Sequence, residues 1–206
     1  MMKLCIRQRN FLLFGFALLF VLGCASSPAS RFYTLSSLQE GGRRPGEFPT
    51  DQGLTIVVGP IQFPEYLDRT EIVTRPSSNK ITVSDFDLWA GSFAEDFSRT
   101  LAENLSVLLS TESVIVYPGP RSSLAQYRIT MDVIRFDGSL GGDVSLIVRW
   151  AILEGKERKL VSGRKSTITE PSGAQGYEAM VAASSRALEK LSREIAEAVR
   201  KQAKSS

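Results

Sequence analysis

The chain has 206 residues, 25 of them basic and 22 acidic, and no histidine. The missing imidazole excludes Ser-His-Asp and Cys-His catalysis and histidine-based metal sites; no G-x-S-x-G stretch is present either. Residues 1–23 carry Lys3, Arg7 and Arg9 and no acid, so 22 bases face 22 acids beyond them, and the overall charge gives no argument for nucleic acid.

The basic start is followed by Phe11–Gly23, 13 residues without a charge, which is the layout of a secretory signal peptide. A membrane-spanning helix needs about 20 apolar residues, so this run is short for a permanent span. An A-x-A-like cleavage site fits poorly, because Val21 takes the first of its small positions. Val21-Leu22-Gly23-Cys24 instead resembles a bacterial lipobox. That resemblance implies cleavage after Gly23, a thioether lipid on Cys24 and acylation of its new amino group. Several acyl chains give stable anchoring where one gives only marginal binding. Ala25, not Asp, follows the cysteine, which resembles the outer-membrane sorting pattern of enteric-type bacteria. Cys5 would leave with the signal, so the exported chain has no thiol pair to form a disulfide and depends on its core. About 180 residues suffice for one such domain. The expected division is a signal peptide (1–23), a lipidated tether (24–30), one domain (31–202) and a short tail (203–206).

Residues 25–30 reach at most about 20 Å when extended, which keeps the domain near the membrane surface. Arg31–Leu35 reads as a first short strand and residues 36–53, rich in Gly, Pro and charge, as an exposed loop. Leu54–Val58 is a β-branched strand ended by Gly59-Pro60. Glu71–Arg75 and Lys80–Val83 form a hairpin around Pro76-Ser77-Ser78-Asn79. Ser84–Asp87 supplies N-cap candidates for a long helix whose stripe is Trp89, Phe93, Phe97, Leu101, Leu105, Leu108 and Leu109. Such a stripe can line a lipid groove, but its ordinary role is a core face.

Val114–Tyr117 is a strand closed by Pro118-Gly119-Pro120. Tyr127, Ile129, Met131 and Val133 alternate before Ile134 and Phe136 take over the apolar phase, which predicts a bulge near Val133. After the Asp137–Gly142 turn, Val144, Leu146, Val148, Trp150 and Ile152 alternate without a break. A turn at Glu154–Arg158 leads to a last strand, Lys159–Thr169, and a final helix runs from about Gly176 to Gln202. Basic residues in its last turn suit the helix dipole. The predicted fold is α+β: a single domain with a mixed/antiparallel sheet and two long helices packed on one face.

Few residues suggest chemistry. Gly163-Arg164-Lys165-Ser166 superficially resembles the end of a Walker A loop, but Arg164 breaks the required order. Asp132, Asp137 and Asp143 surround one hairpin; they could offer Ca²⁺ hard oxygens, yet lack EF-hand spacing and read better as solvated turn carboxylates. Lys156, Arg158, Lys159, Arg164 and Lys165 concentrate positive charge on the last hairpin, either to meet anionic head groups or an acidic partner or as a charged edge that deters strand pairing.

The most distinctive stretch runs from Pro64 to Arg75, PEYLDRTEIVTR, with a rigid turn, an aromatic and a leucine ahead of two charges and a strand. It resembles the P-x-Y-L-D-R-x-x-I-V-x-R signature of the PqiC-like, ABC-type transport auxiliary lipoproteins. Phe32–Leu35, Leu88-Trp89-Ala90 (as the start of the first helix), Leu101–Leu105, Tyr117-Pro118, Phe136-Asp137-Gly138 and Leu146–Trp150 agree, so the resemblance spans nearly all of residues 31–200. Thr70 and Glu71 depart from the Pro and Gln expected there.

The resemblance implies a non-enzymatic docking or adaptor lipoprotein at the periplasmic face of the outer membrane, serving an MCE-domain protein of an ABC-linked lipid transport system. A homo-oligomer is one option, and no cofactor is implied beyond the covalent lipid on Cys24. The rival is a carrier holding acyl chains between helices and sheet; a carboxylate-only enzyme is a third. Tyr66, Leu67, Asp68, Arg69 and Arg75 have two readings. They hold the domain together, with Asp68 and Arg69 paired across a turn, or they face the partner or a neighbouring subunit.

Overall fold

The computed structural model describes residues 28–38, 53–120, 122–155 and 157–205. The expected signal peptide, Cys24 and most of the 36–53 loop lie outside the described residues.

The larger sheet has the order β5-β2-β6-β7-β8. Strand β2 (Ile56–Gln62) runs parallel to both β5 (Val114–Val116) and β6 (Tyr127–Gly138), while β6, β7 (Asp143–Glu154) and β8 (Lys159–Pro171) form an antiparallel meander. The unbroken alternation of β7 buries Val144, Leu146, Val148, Trp150 and Ile152 on one face. The expected bulge is present: the β6–β7 register shifts between Val133 and Arg135, which sends Phe136 to the core.

Helix α1 (Phe93–Leu109) packs on β2 and β5, and helix α2 (Tyr177–Ala203) packs on β7 and β8. The aromatic stripe is core. Phe97, Leu101 and Leu105 are wholly buried, and Phe97 meets Phe63 and Phe136 edge-on with ring centroids 5.3 and 5.8 Å apart. Polar contacts also join the two helices, Asn104 Nδ2 donating to Ser192 Oγ at 3.1 Å and Arg200 Nη2 to the Leu108 carbonyl. Among the described residues no helix is long and apolar enough to cross a membrane.

The α+β class is as expected, but the strands divide into two mixed sheets instead of one. The smaller has the order β1-β4-β3: β1 (Arg31–Tyr33) lies parallel to β4 (Lys80–Trp89), which pairs antiparallel with β3 (Glu71–Ser77). The hairpin turn is only Ser78-Asn79, not four residues, because Pro76 is tolerated in β3, an edge strand where a missing N–H costs no ladder bond.

The first helix also starts later than expected. Ser84 Oγ does accept from the Asp87 amide at 2.9 Å, the local bond of an N-cap, but it does so where the β4 ladder is irregular. The strand continues to Trp89, and Ser92 caps α1 through the Glu95 amide. Trp89 joins the stripe from the strand, its ring 4.9 Å from Phe93, so the sequence spacing imitates another helical turn.

Candidate functional site

The Pro64–Arg75 segment leaves β2 through a single 3-10 turn, Glu65–Leu67, closed by the Leu67 amide on the Pro64 carbonyl at 2.9 Å. The rigid proline and this turn bury Leu67 and aim Tyr66 at β6. Asp68 and Arg69 are exposed, and no ion pair among the described residues joins them; the expected pairing across the turn is absent. The Asp68 amide closes the turn on the Glu65 carbonyl at 3.1 Å, and residues 68–70 bend before β3 begins at Glu71.

Arg75, near the end of β3, closes the arrangement. Its Nε lies 2.9 Å from both Asp137 carboxylate oxygens, and Tyr66 Oη donates to Oδ2 at 2.8 Å. Arg135 Nε donates to Oδ1 at 2.7 Å from the same strand as Asp137. The Arg75 guanidinium also lies over the Tyr66 ring, 5.4 Å from its centroid. Asp137 is therefore no solvated turn carboxylate: its residue is 4% exposed, and its oxygens are taken by three side chains. Burial alone would push its carboxyl up, but the bonds from Arg75, Tyr66 and Arg135 outweigh it and hold it below the usual carboxylate range. Burial, then the bond to Asp137, pushes the Tyr66 hydroxyl up. Two halves of the signature thus meet on a residue 62 positions beyond Arg75, and that convergence left no mark in local spacing.

A similar knot ties β1 to β4. Arg31 donates to both Asp87 oxygens at 2.7 and 2.8 Å, and Tyr33 Oη donates to Oδ1 at 2.8 Å. Burial opposes ionisation of Asp87, yet these bonds and one from Ser84 hold it below the usual range.

The basic residues of the last hairpin do not form one cluster. Arg158 sits at the β7–β8 turn, Lys159 and Lys165 are exposed on β8, and Arg164 lies over Trp150 with its guanidinium 6.0 Å from the ring centroid. Strand β8 is an edge of the larger sheet. Lys156 and Cys24 lie outside what the structure describes. Among the described residues no group of His, Cys, Asp and Glu is placed to hold a metal ion.

The model of the ABC-type transport auxiliary lipoprotein component family matches residues 33–196. This chain belongs to that family. The matched span takes in the signature, both sheets from the end of β1 onward and most of α2 of the auxiliary lipoprotein. No curated protein matches it by sequence. Among solved structures it is similar to an uncharacterised protein (TM-score 0.68, 20% identity, covering 84% of this chain and 99% of that one). It is also similar to a protein from Xanthomonas campestris (TM-score 0.67, 17% identity, 85% and 99% covered). At these identities the likeness concerns the fold alone. The family makes the chain a bacterial lipoprotein serving an ABC-type transport system. The Tyr66–Arg75–Asp137 knot is then the internal fastening of its most recognisable segment, and Glu65, Asp68, Arg69 and Thr70 are the part of that segment open to solvent.

Proposed function

We propose that this auxiliary lipoprotein is an adaptor held by the lipid on Cys24 at the periplasmic face of the outer membrane, where it docks the MCE-domain protein of an ABC-driven lipid transport system. It catalyses no reaction and uses no cofactor beyond its covalent lipid. The observation that carries this reading is the family match over residues 33–196 on a chain whose Cys24 stands in a lipobox. The packed interior supports an adaptor over a carrier, because Phe97, Leu101, Leu105, Leu188, Leu191 and Ile195 are wholly buried between the helices and the sheet. Asp68 and Arg69 are the signature residues available to a partner. Self-association into a homo-oligomer belongs to the same proposal.

The test uses the full chain with a C-terminal tag, extracted gently from membranes, with Cys24→Ala alongside. Mass spectrometry of co-purified material should find an MCE-domain protein with the unaltered chain and lose it with Cys24→Ala. Native mass spectrometry of the same extract reads the number of copies. Stoichiometric, non-covalently bound phospholipid and no MCE-domain protein would overturn the adaptor in favour of the carrier.

A further inference from the structure

Among the described residues, five with charged side chains are buried: Asp87, Asp96, Arg128, Asp137 and Glu170. Four of them face an opposite charge. Asp87 has Arg31, Asp96 has Arg99, Asp137 has Arg75 and Arg135, and Glu170 has Arg186 and Lys190. Arg128, 8% exposed, does not. Its Nη1 donates to the Gly59 carbonyl at 3.2 Å and its Nη2 to the Ser122 carbonyl at 3.1 Å, and its guanidinium lies over the Tyr117 ring, 4.9 Å from the centroid. No carboxylate among the described residues pairs with it. Lining the same open space as Arg128 is a second cation, Arg158.

Burying a cation without an anion is costly, and a second cation beside it adds to that cost. The backbone nevertheless holds the two together. The Gly155 amide donates to the Gln126 carbonyl at 2.9 Å, fastening the β7–β8 turn to the start of β6. The Arg158 amide closes that turn on the Gly155 carbonyl at 3.2 Å, and Arg158 takes a φ of 54°, in the left-handed region that an L side chain adopts only at a cost. Between the two arginines lies a cavity of about 360 Å³, lined in part by the Ser122 and Ser123 segment, Leu124 and Gly155. Among the described residues its lining has two cations, two serines and no acid.

The geometry points to an anion site: Arg128 and Arg158 bind a phosphate group, either free or in a lipid head group. Arginine's planar fork suits phosphate oxygens. Leu124, which is 63% exposed at the rim, offers an apolar neighbour to whatever carries the phosphate. The site does not depend on the docking role, since it involves neither the signature segment nor Cys24.

Isothermal titration of the full chain in a neutral detergent, at constant ionic strength, tests this with two probes. These are inorganic phosphate and glycerophosphoglycerol, the deacylated head group of phosphatidylglycerol. Saturable binding is expected, weakened at least about tenfold by Arg158→Ala, an exposed position whose loss leaves the core intact. Arg164→Ala removes the same charge elsewhere on the hairpin and should change binding by about twofold or less under physiological screening. Tighter binding of glycerophosphoglycerol identifies a head group as the source of the phosphate, and tighter binding of inorganic phosphate identifies a free anion; either supports the site. No saturable binding of either probe, or equal binding by Arg158→Ala, overturns it.

Discussion

The two ends of β6 each bury a charge, and they treat it in opposite ways. At Asp137, Arg75 arrives from β3, Tyr66 from the 3-10 turn and Arg135 from β6 itself, so the anion is enclosed by donors. At Arg128 the cation meets two carbonyls, an aromatic face and a like charge, beside open space. The desolvation cost is of the same kind at both ends. At Asp137 the fold itself supplies the compensation, and three chain segments are locked together as a result. At Arg128 the described residues supply no anion, and the cavity beside it is open to one from outside.

The largest effect should come from opening the closed end. Asp137→Ala leaves Arg75 and Arg135 facing each other with no anion and should cost about 3–5 kcal/mol of unfolding free energy, read by urea denaturation of the full chain. Arg128→Met, at the open end, removes a buried cation along with its hydrogen bonds to two carbonyls and should cost less, about 1–3 kcal/mol by the same measurement. If Arg128→Met were the costlier change, the contrast between the ends would be broken.

Acid sharpens it. The folded Asp137 and Asp87 carboxyls lie below the ordinary range. The stability they contribute is therefore fully present above the unfolded value of about 4 and is lost as pH falls through their folded values. Unfolding free energy should be nearly level from neutral pH down to about 5 and then decline; in Asp137→Asn the decline should be shallower. The smallest effects belong to the exposed part of the signature. Asp68→Ala and Arg69→Ala should each change stability by no more than about 0.5 kcal/mol, while partner capture from membranes reads whether either residue contributes to docking.

Strands with a clean period were legible in the sequence. The alternation from Val144 to Ile152 located β7, and the phase change near Val133 located the β6 bulge, because both are local consequences of side-chain direction. The start of α1 was not legible. Ser84 and Asp87 do make a cap-like bond, but Asp87 is also claimed by Arg31 and Tyr33 from β1, and that long-range pairing keeps the segment extended. The division into two sheets escaped for the same reason, since β1 reaches β4 only across more than 50 residues.

At the site, the signature segment could be identified but not its direction. Tyr66 and Arg75 face inward because of Asp137, which in sequence looks like an ordinary turn acid after Phe136. Arg128 was likewise invisible, because its burial depends on Gly59 and Ser122 from other segments.

The signature's tyrosine and arginine fasten the fold through Asp137. A double-mutant cycle of Arg75→Met and Asp137→Asn, followed by urea unfolding of the full chain, tests it most directly. Strong non-additivity is expected, with a coupling of about 1 kcal/mol or more between the two sites. Costs that add to within about 0.5 kcal/mol would contradict it and return Arg75 to the partner-facing surface.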